Sequence, residues 1–326
     1  MKIVGVIGAF AVLLSAATAS AEDKTLAIVV KGLDNPFFDL IRQGCEKAQA
    51  ELKGGYRCYY TGPASTSDEA GEVQIIDDLL TKGVAAMAIS PSNAPAVANV
   101  LRQRKPTIPI MTIDADLLAQ DKGLRKTYLG TDNYLMGVKL AEHLRQLKPN
   151  GGSLCLVLGN VAADNINQRA AGTRDTLSGK KGTQRLTGQG GWKELAGCPL
   201  FTNDDAAKGN QMMADVLIAN KALDAFVLEG GWPQFAPQAY AQLTDQYRDR
   251  IKSNQLALVA ADTLPPQIEA LKQGRSHAQV GQRPLEMGYR APFLMKDMVE
   301  GKPVDPIYYT GLDECTPDNA ATCLKR

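Results

Sequence analysis

The sequence predicts an α/β protein made of two doubly wound parallel-sheet lobes joined by a multi-strand hinge. Three observations carry that expectation. Short, continuously apolar runs alternate with amphipathic stretches of helical period, and the alternation passes through two series of similar size. The segment after Gln282 then adds one helical pattern and one extended stretch, too little for a third unit. Strands covered by helices on both faces read as unbroken apolar runs, which is the signature of a parallel sheet.

In the first series, Thr25 to Val30 reads as a buried strand. A loop, Lys31-Gly32-Leu33-Asp34-Asn35-Pro36, leads into a helix with Phe37, Ile41, Cys45, Ala48 and Leu52 on one face. Gly54-Gly55 ends it, and Tyr56, Cys58 and Tyr60 alternate in a second strand. Helices near 68–82 and 94–104 and strands at 85–90, 108–114 and 126–130 continue the pattern.

The second series opens after Thr131-Asp132-Asn133 with helices near 134–148, 167–177, 207–220 and 235–251. Its strands fall at 153–158, 225–228 and 256–261, with one more between Gln184 and Phe201. A helix near 285–300 and the extended 306–311 then return to the first lobe. The expected division is residues 22–131 with 283–310 in one lobe and 132–282 with 311–326 in the other. No low-complexity tether separates the halves, so Thr131-Asp132, Gln282-Arg283 and Thr310-Gly311 are the hinge candidates.

Residues 1–21 have the layout of a cleavable secretory signal: Met1-Lys2, an apolar run from Ile3 to Leu14, then small residues ending Ala19-Ser20-Ala21. Export to the periplasm follows. Thirty-six basic against thirty-five acidic residues, with no basic stripe, make nucleic acid a poor partner. Cys45, Cys58, Cys155, Cys198, Cys315 and Cys323 form no CxxC pair, and an even number in an exported chain points to disulfides. Fifteen connectivities exist for six cysteines, and local geometry favours Cys45 with Cys58, Cys155 with Cys198, and Cys315 with Cys323. With only His143 and His277 besides, neither a metal nor another cofactor is expected.

In parallel α/β sheets ligands lie beyond the carboxyl ends of the strands. The polar and aromatic residues just after the apolar runs are Asn35, Phe37, Phe38, Asp114, Asn165 to Arg169 (with Asn167), Glu229, Trp232, Asp262 and Gln282. Carboxylates and amides can fix hydroxyls while a ring stacks on a sugar's C–H face. Blander roles compete: a helix-start staple for Phe37, caps or strand ends for Asp114 and Asp262, a solvated helix face for Asn167 and Arg169, a turn for Glu229 and Trp232.

At these residues, above all Asp34-Asn35-Pro36-Phe37-Phe38, the chain resembles the type I periplasmic solute-binding proteins of sugar transporters. The resemblance covers nearly the whole mature chain. It implies a monomeric receptor that closes on a monosaccharide or polyol and presents it to the permease subunits of an ABC transporter, or to a chemoreceptor. The Asn would bond the sugar and the Phe rings would sandwich it. Three departures bear on the ligand: Ala115 follows Asp114 where ribose-binding members have Arg, Asn167 stands where a second Arg is expected, and Glu229-Gly230-Gly231-Trp232 replaces an Asn. Losing two guanidinium groups would change the accepted hydroxyl pattern. An exported glycoside-acting enzyme using Asp114 and Glu229 as acid and base is the competing class, but paired carboxylates are common in sugar sites and no GxSxG, HExxH or P-loop is present.

Overall fold

The computed structural model describes Met1 and residues 24–324; beyond Met1, the expected signal segment lies outside the described residues. The first series is β1 (Lys24–Val29), α1 (Pro36–Glu51), β2 (Tyr56–Thr61), α2 (Glu69–Lys82), β3 (Ala86–Ile89), α3 (Ala94–Arg104), β4 (Ile110–Ile113) and β5 (Thr127–Gly130). The second is α4 (Asn133–Leu147), β6 (Gly152–Leu158), α5 (Asp164–Ser178), β7 (Trp192–Glu194), β8 (Leu200–Phe201), α6 (Ala206–Ala219) and β9 (Ala225–Leu228). It continues with α7 (Trp232–Phe235), α8 (Pro237–Asp245), α9 (Arg248–Lys252), β10 (Ala257–Ala261), α10 (Pro265–Lys272) and β11 (Ala278–Gly281). The chain closes with α11 (Pro284–Val299), β12 (Ile307–Tyr309) and β13 (Asp313–Cys315).

These strands build two sheets, ordered β12-β5-β4-β3-β1-β2 and β13-β11-β10-β9-β6-β7, with β8 beside β6. Every pairing in the first is parallel, and in the second only β13 runs antiparallel, against β11. The central strands are buried throughout, and β3, β9 and β10 are wholly apolar, because helices cover both faces. The chain passes between the sheets three times: between β5 and α4, between β11 and α11, and between β12 and β13.

The sequence reading contains no counterpart of α10, β11 or β13, and two further stretches differ from it. The single helix expected near 235–251 is divided: α7 ends at Phe235, Pro237, which lacks an N–H, stands at the first position of α8, and α9 is a separate short turn after Tyr247. The strand expected between Gln184 and Phe201 is two, β7 and β8, and Trp192 of β7 is buried in the second lobe's core. All three disulfides that local spacing favoured are present: Cys45–Cys58 ties α1 to β2, Cys155–Cys198 ties β6 to the segment before β8, and Cys315–Cys323 fastens the C-terminal turn to β13.

Each lobe has one helix pair in backbone contact through glycines. A Cβ on Gly288 of α11 would stand 2.0 Å from the Ile41 carbonyl oxygen of α1, and one on Gly137 of α4 would stand 1.9 Å from the Arg169 carbonyl oxygen of α5. Neither carbonyl can retreat without moving a whole helix. Gly137→Ala is expected to cost about 1–3 kcal/mol through overpacking, read as a lower urea midpoint. An unchanged midpoint would mean the helices slide apart freely.

Candidate functional site

The carboxyl ends of the strands in both sheets converge on one gap. From the first lobe, Asn35 caps α1: its Oδ1 accepts the Phe37 N–H at 3.0 Å, which leaves the side-chain NH2 free to face outward. With Pro36 at the first helical position, the cap sets Phe37 and Phe38 in the first turn, their rings edge-on at 5.3 Å. Lys31 follows β1, and its ammonium lies 3.8 Å from Asp114 Oδ2.

Asp114 follows β4 with φ 62°, and Asp262 follows β10 with φ 73°. In that left-handed region the chain turns sharply off the strand and delivers each carboxylate into the gap. The Ser90 hydroxyl donates to Asp114 Oδ2 at 2.8 Å. Asp262 accepts from Gln282 Nε2 at 2.7 Å and from the Gly231 N–H at 3.0 Å, while Gln282 Oε1 accepts from the Thr131 hydroxyl at 2.9 Å. A site carboxylate is thereby tied to two of the three passages between the lobes.

From α5, Asn165, Ile166 and Arg169 share one face. Arg169 is buried: Nε donates to Asn133 Oδ1 at 2.9 Å and Nη1 to the Glu229 carbonyl at 2.8 Å, while Nη2 has no partner among the described residues. Trp232 and Phe235 of α7 and Asp204, just after β8, complete the lining. Burial pushes the carboxyls of Asp204 and Asp262 above their ordinary values, against the pull of Lys31 on Asp204 and of Arg169 on both.

Of the sequence candidates, Asn35, Phe37, Phe38, Asp114, Asn165, Arg169, Trp232, Asp262 and Gln282 thus line one gap. Asn167 does not. The helix begins at Asp164, so Asn167 falls opposite Arg169, exposed, with Nδ2 donating to the Val161 carbonyl at 2.9 Å. An arginine does enter the gap from α5, two residues after the position where the resemblance placed it. Glu229 is also outside the lining: it contributes only its carbonyl to Arg169, and its carboxylate is buried behind the site with no hydrogen-bond partner among the described residues. A pair of catalytic carboxylates in the gap, Asp114 with Glu229, is therefore not formed.

Sequence reasoning left out Lys31, Asp204 and Phe235. Lys31 directly follows the first apolar run and the same strand-end rule would have found it. Asp204 could not be found that way, since β8 is two residues long.

The lobes touch around the gap. Lys31 Nζ donates to Asn165 Oδ1 at 3.2 Å, Asn160 Nδ2 donates to Glu69, and the Ala94 N–H donates to the Ala162 carbonyl at 3.3 Å. About 30 Å³ of free space remains inside, room for a water-sized group and not for a sugar ring. A ring enters only when the lobes part. A larger hollow of about 540 Å³, beside Lys24, Arg57 and Lys82, opens at the opposite strand ends and takes residues from the first lobe alone.

The family model of the periplasmic binding protein domain matches residues 26–303. The chain belongs to this family. This periplasmic binding protein is 24% identical over 308 residues to the ribose import binding protein RbsB of Salmonella typhimurium, a match covering 91% of this chain and 93% of that one. Among solved structures it is similar to an ABC transporter solute-binding protein from Burkholderia graminis in complex with D-arabinose, with TM-score 0.79, 26% identity, and 93% and 98% of the two chains covered. A solute-binding protein from Agrobacterium vitis with bound D-fucose shares the fold at TM-score 0.80 and 20% identity, over 91% and 97% of the chains.

Proposed function

We propose that this periplasmic binding protein is exported, works as a monomer, captures a monosaccharide or polyol between its lobes, and delivers it to the permease of an ABC transporter. The observation that carries the reading is the convergence of Asp114 and Asp262, one from each lobe, on a gap walled by Phe37, Phe38 and Trp232. Oxygen-rich side chains satisfy hydroxyls while the rings cover a C–H face. A ligand touching both lobes favours closure because it binds the closed state better than the open one. The ribose and arabinose named for the relatives support a small neutral carbohydrate as the ligand.

Within this reading the protein performs no chemistry; the acid–base pair of the competing enzyme reading, Asp114 with Glu229, is not assembled in the gap. A permease recognises the closed form, and a sensor or chemoreceptor domain is a second surface on which the same form can dock.

A thermal-shift screen tests the reading. D-Ribose, D-arabinose, D-allose, D-fucose, D-galactose and myo-inositol are each added in excess; a ligand at about 100 times its dissociation constant adds roughly 2.7 kcal/mol and raises the midpoint by several degrees. At least one probe is expected to do so and to be recovered unchanged. No shift with any neutral sugar or polyol contradicts the receptor reading, and conversion of a bound probe to product contradicts the absence of chemistry.

A further inference from the structure

Two charged side chains enter the gap from opposite lobes with bonding capacity to spare. Lys31 is buried, and of its three ammonium hydrogens one is used on Asn165 Oδ1 at 3.2 Å. The nearest carboxylate oxygen, Asp114 Oδ2, is 3.8 Å away, an ion-pair distance and not a hydrogen bond, and it already accepts from Ser90. Asp204, held at φ 62° after β8, accepts the Asn160 N–H at 3.2 Å through Oδ1, while its Oδ2 accepts nothing among the described residues. Of the neighbouring charges, the Lys31 ammonium favours the ionised form of Asp204 most strongly.

An ammonium with spare hydrogens and a carboxylate with a spare oxygen that line the same small space call for a group that both accepts and donates. A hydroxyl accepts from the first and donates to the second; a carbonyl or ether oxygen cannot donate, and a protonated amine cannot accept. Resting on the receptor reading above, we propose that Lys31 and Asp204 are the specificity-determining pair of this cleft and clamp one hydroxyl of a neutral sugar or polyol from opposite lobes. The 30 Å³ left between the touching lobes is the size of such a group. An analogue lacking that hydroxyl leaves two charges unpaired in a dehydrated space, the situation in which a polar site discriminates most strongly. Because one partner comes from each lobe, the hydroxyl is read only on closure.

The test is calorimetric titration of the full mature chain and its Lys31→Met, Asp204→Asn and double variants. The probes are D-ribose with 2-deoxy-D-ribose, and D-galactose with 2-deoxy-D-galactose and D-fucose, its 6-deoxy form. Each single variant is expected to weaken the parent sugar about 30-fold or more. The double variant is expected to be no weaker than the worse single one, since both residues hold the same hydroxyl. One deoxy analogue, weak already for the wild type, is expected to bind all four proteins within about twofold, which a merely structural role of either residue would not produce.

Equal losses for the parent and every deoxy analogue, or additive losses in the double variant, overturn the proposal and leave the receptor reading intact. Failure of the wild type to bind any neutral sugar or polyol overturns both. Asp204→Asn is close to isosteric, so the comparison holds on that variant alone if Lys31→Met does not fold.

Discussion

Arg169→Met is expected to lower the affinity for the sugar found by screening by about 30-fold or more. The side chain is buried, with two of its nitrogens fixed on Asn133 and the Glu229 carbonyl, so the unpartnered Nη2 is a preorganised donor facing the gap. Truncating one member of a buried charged hydrogen bond costs about 2–5 kcal/mol, and each 1.4 kcal/mol is a factor of ten in affinity. Arg169→Lys keeps the charge but cannot span both anchors, and should fall between the two. The unliganded melting midpoint of each variant separates lost binding from lost structure. Full affinity in Arg169→Met would show that the guanidinium only braces α5 and plays no part in the ligand site.

Glu229→Gln should change the pH dependence of stability. Burial raises the Glu229 carboxyl from 4.5 to about 7, with Arg169 and Arg174 offsetting only part of the cost. The Thr173 hydroxyl beside it is spent on the Gly137 carbonyl at 3.1 Å. The folded state therefore binds more protons than the unfolded state between about pH 4.5 and 7, and the stability this group supplies at low pH is lost as pH rises through that window. About 2–3 kcal/mol should disappear between pH 5 and pH 8.

Glu72, buried behind Ser92 and raised to about 7, acts in the same direction. His277, which burial holds below its ordinary value, gains the protein stability as pH rises and opposes them. The difference between variant and wild type isolates Glu229: urea unfolding at pH 5 and pH 8 should show Glu229→Gln gaining that 2–3 kcal/mol on the wild type across the interval. Parallel pH profiles for the two proteins would mean that the carboxylate is solvated or paired in solution.

The lobes were legible because apolar continuity reports burial on both faces, as in β3, β9 and β10, whereas β11, which carries the buried Gln279, has too little of it to be read. The Asn35-Pro36-Phe37-Phe38 element was legible for another reason: a cap, a proline at the first helical position and two rings in one turn are a local arrangement written in consecutive residues. Asp114 and Asp262 could be found because they directly follow such strands. What could not be read is rotation about a helix axis near its start. α5 begins at Asp164, three residues before its expected start, and nothing in the order of residues said that Arg169, and not Asn167, would face the gap. Strand ends too short to leave a pattern, as at β8 before Asp204, were lost for the same physical reason, since two residues bury too little to show a period. Glu229 was misplaced because adjacency to a strand end says that a residue is near the site, not which of its groups points there.

The three passages between the sheets decide how the molecule can move. A single tether would allow one half to swivel and slide over the other; three lying together suppress twist and shear and leave a swing about one axle. Through Gln282 that axle is bonded at once to Thr131 on a neighbouring passage and to Asp262 in the gap. Torque and occupancy are therefore read at the same amide, and a change there would alter how easily the jaws swing even with nothing between them.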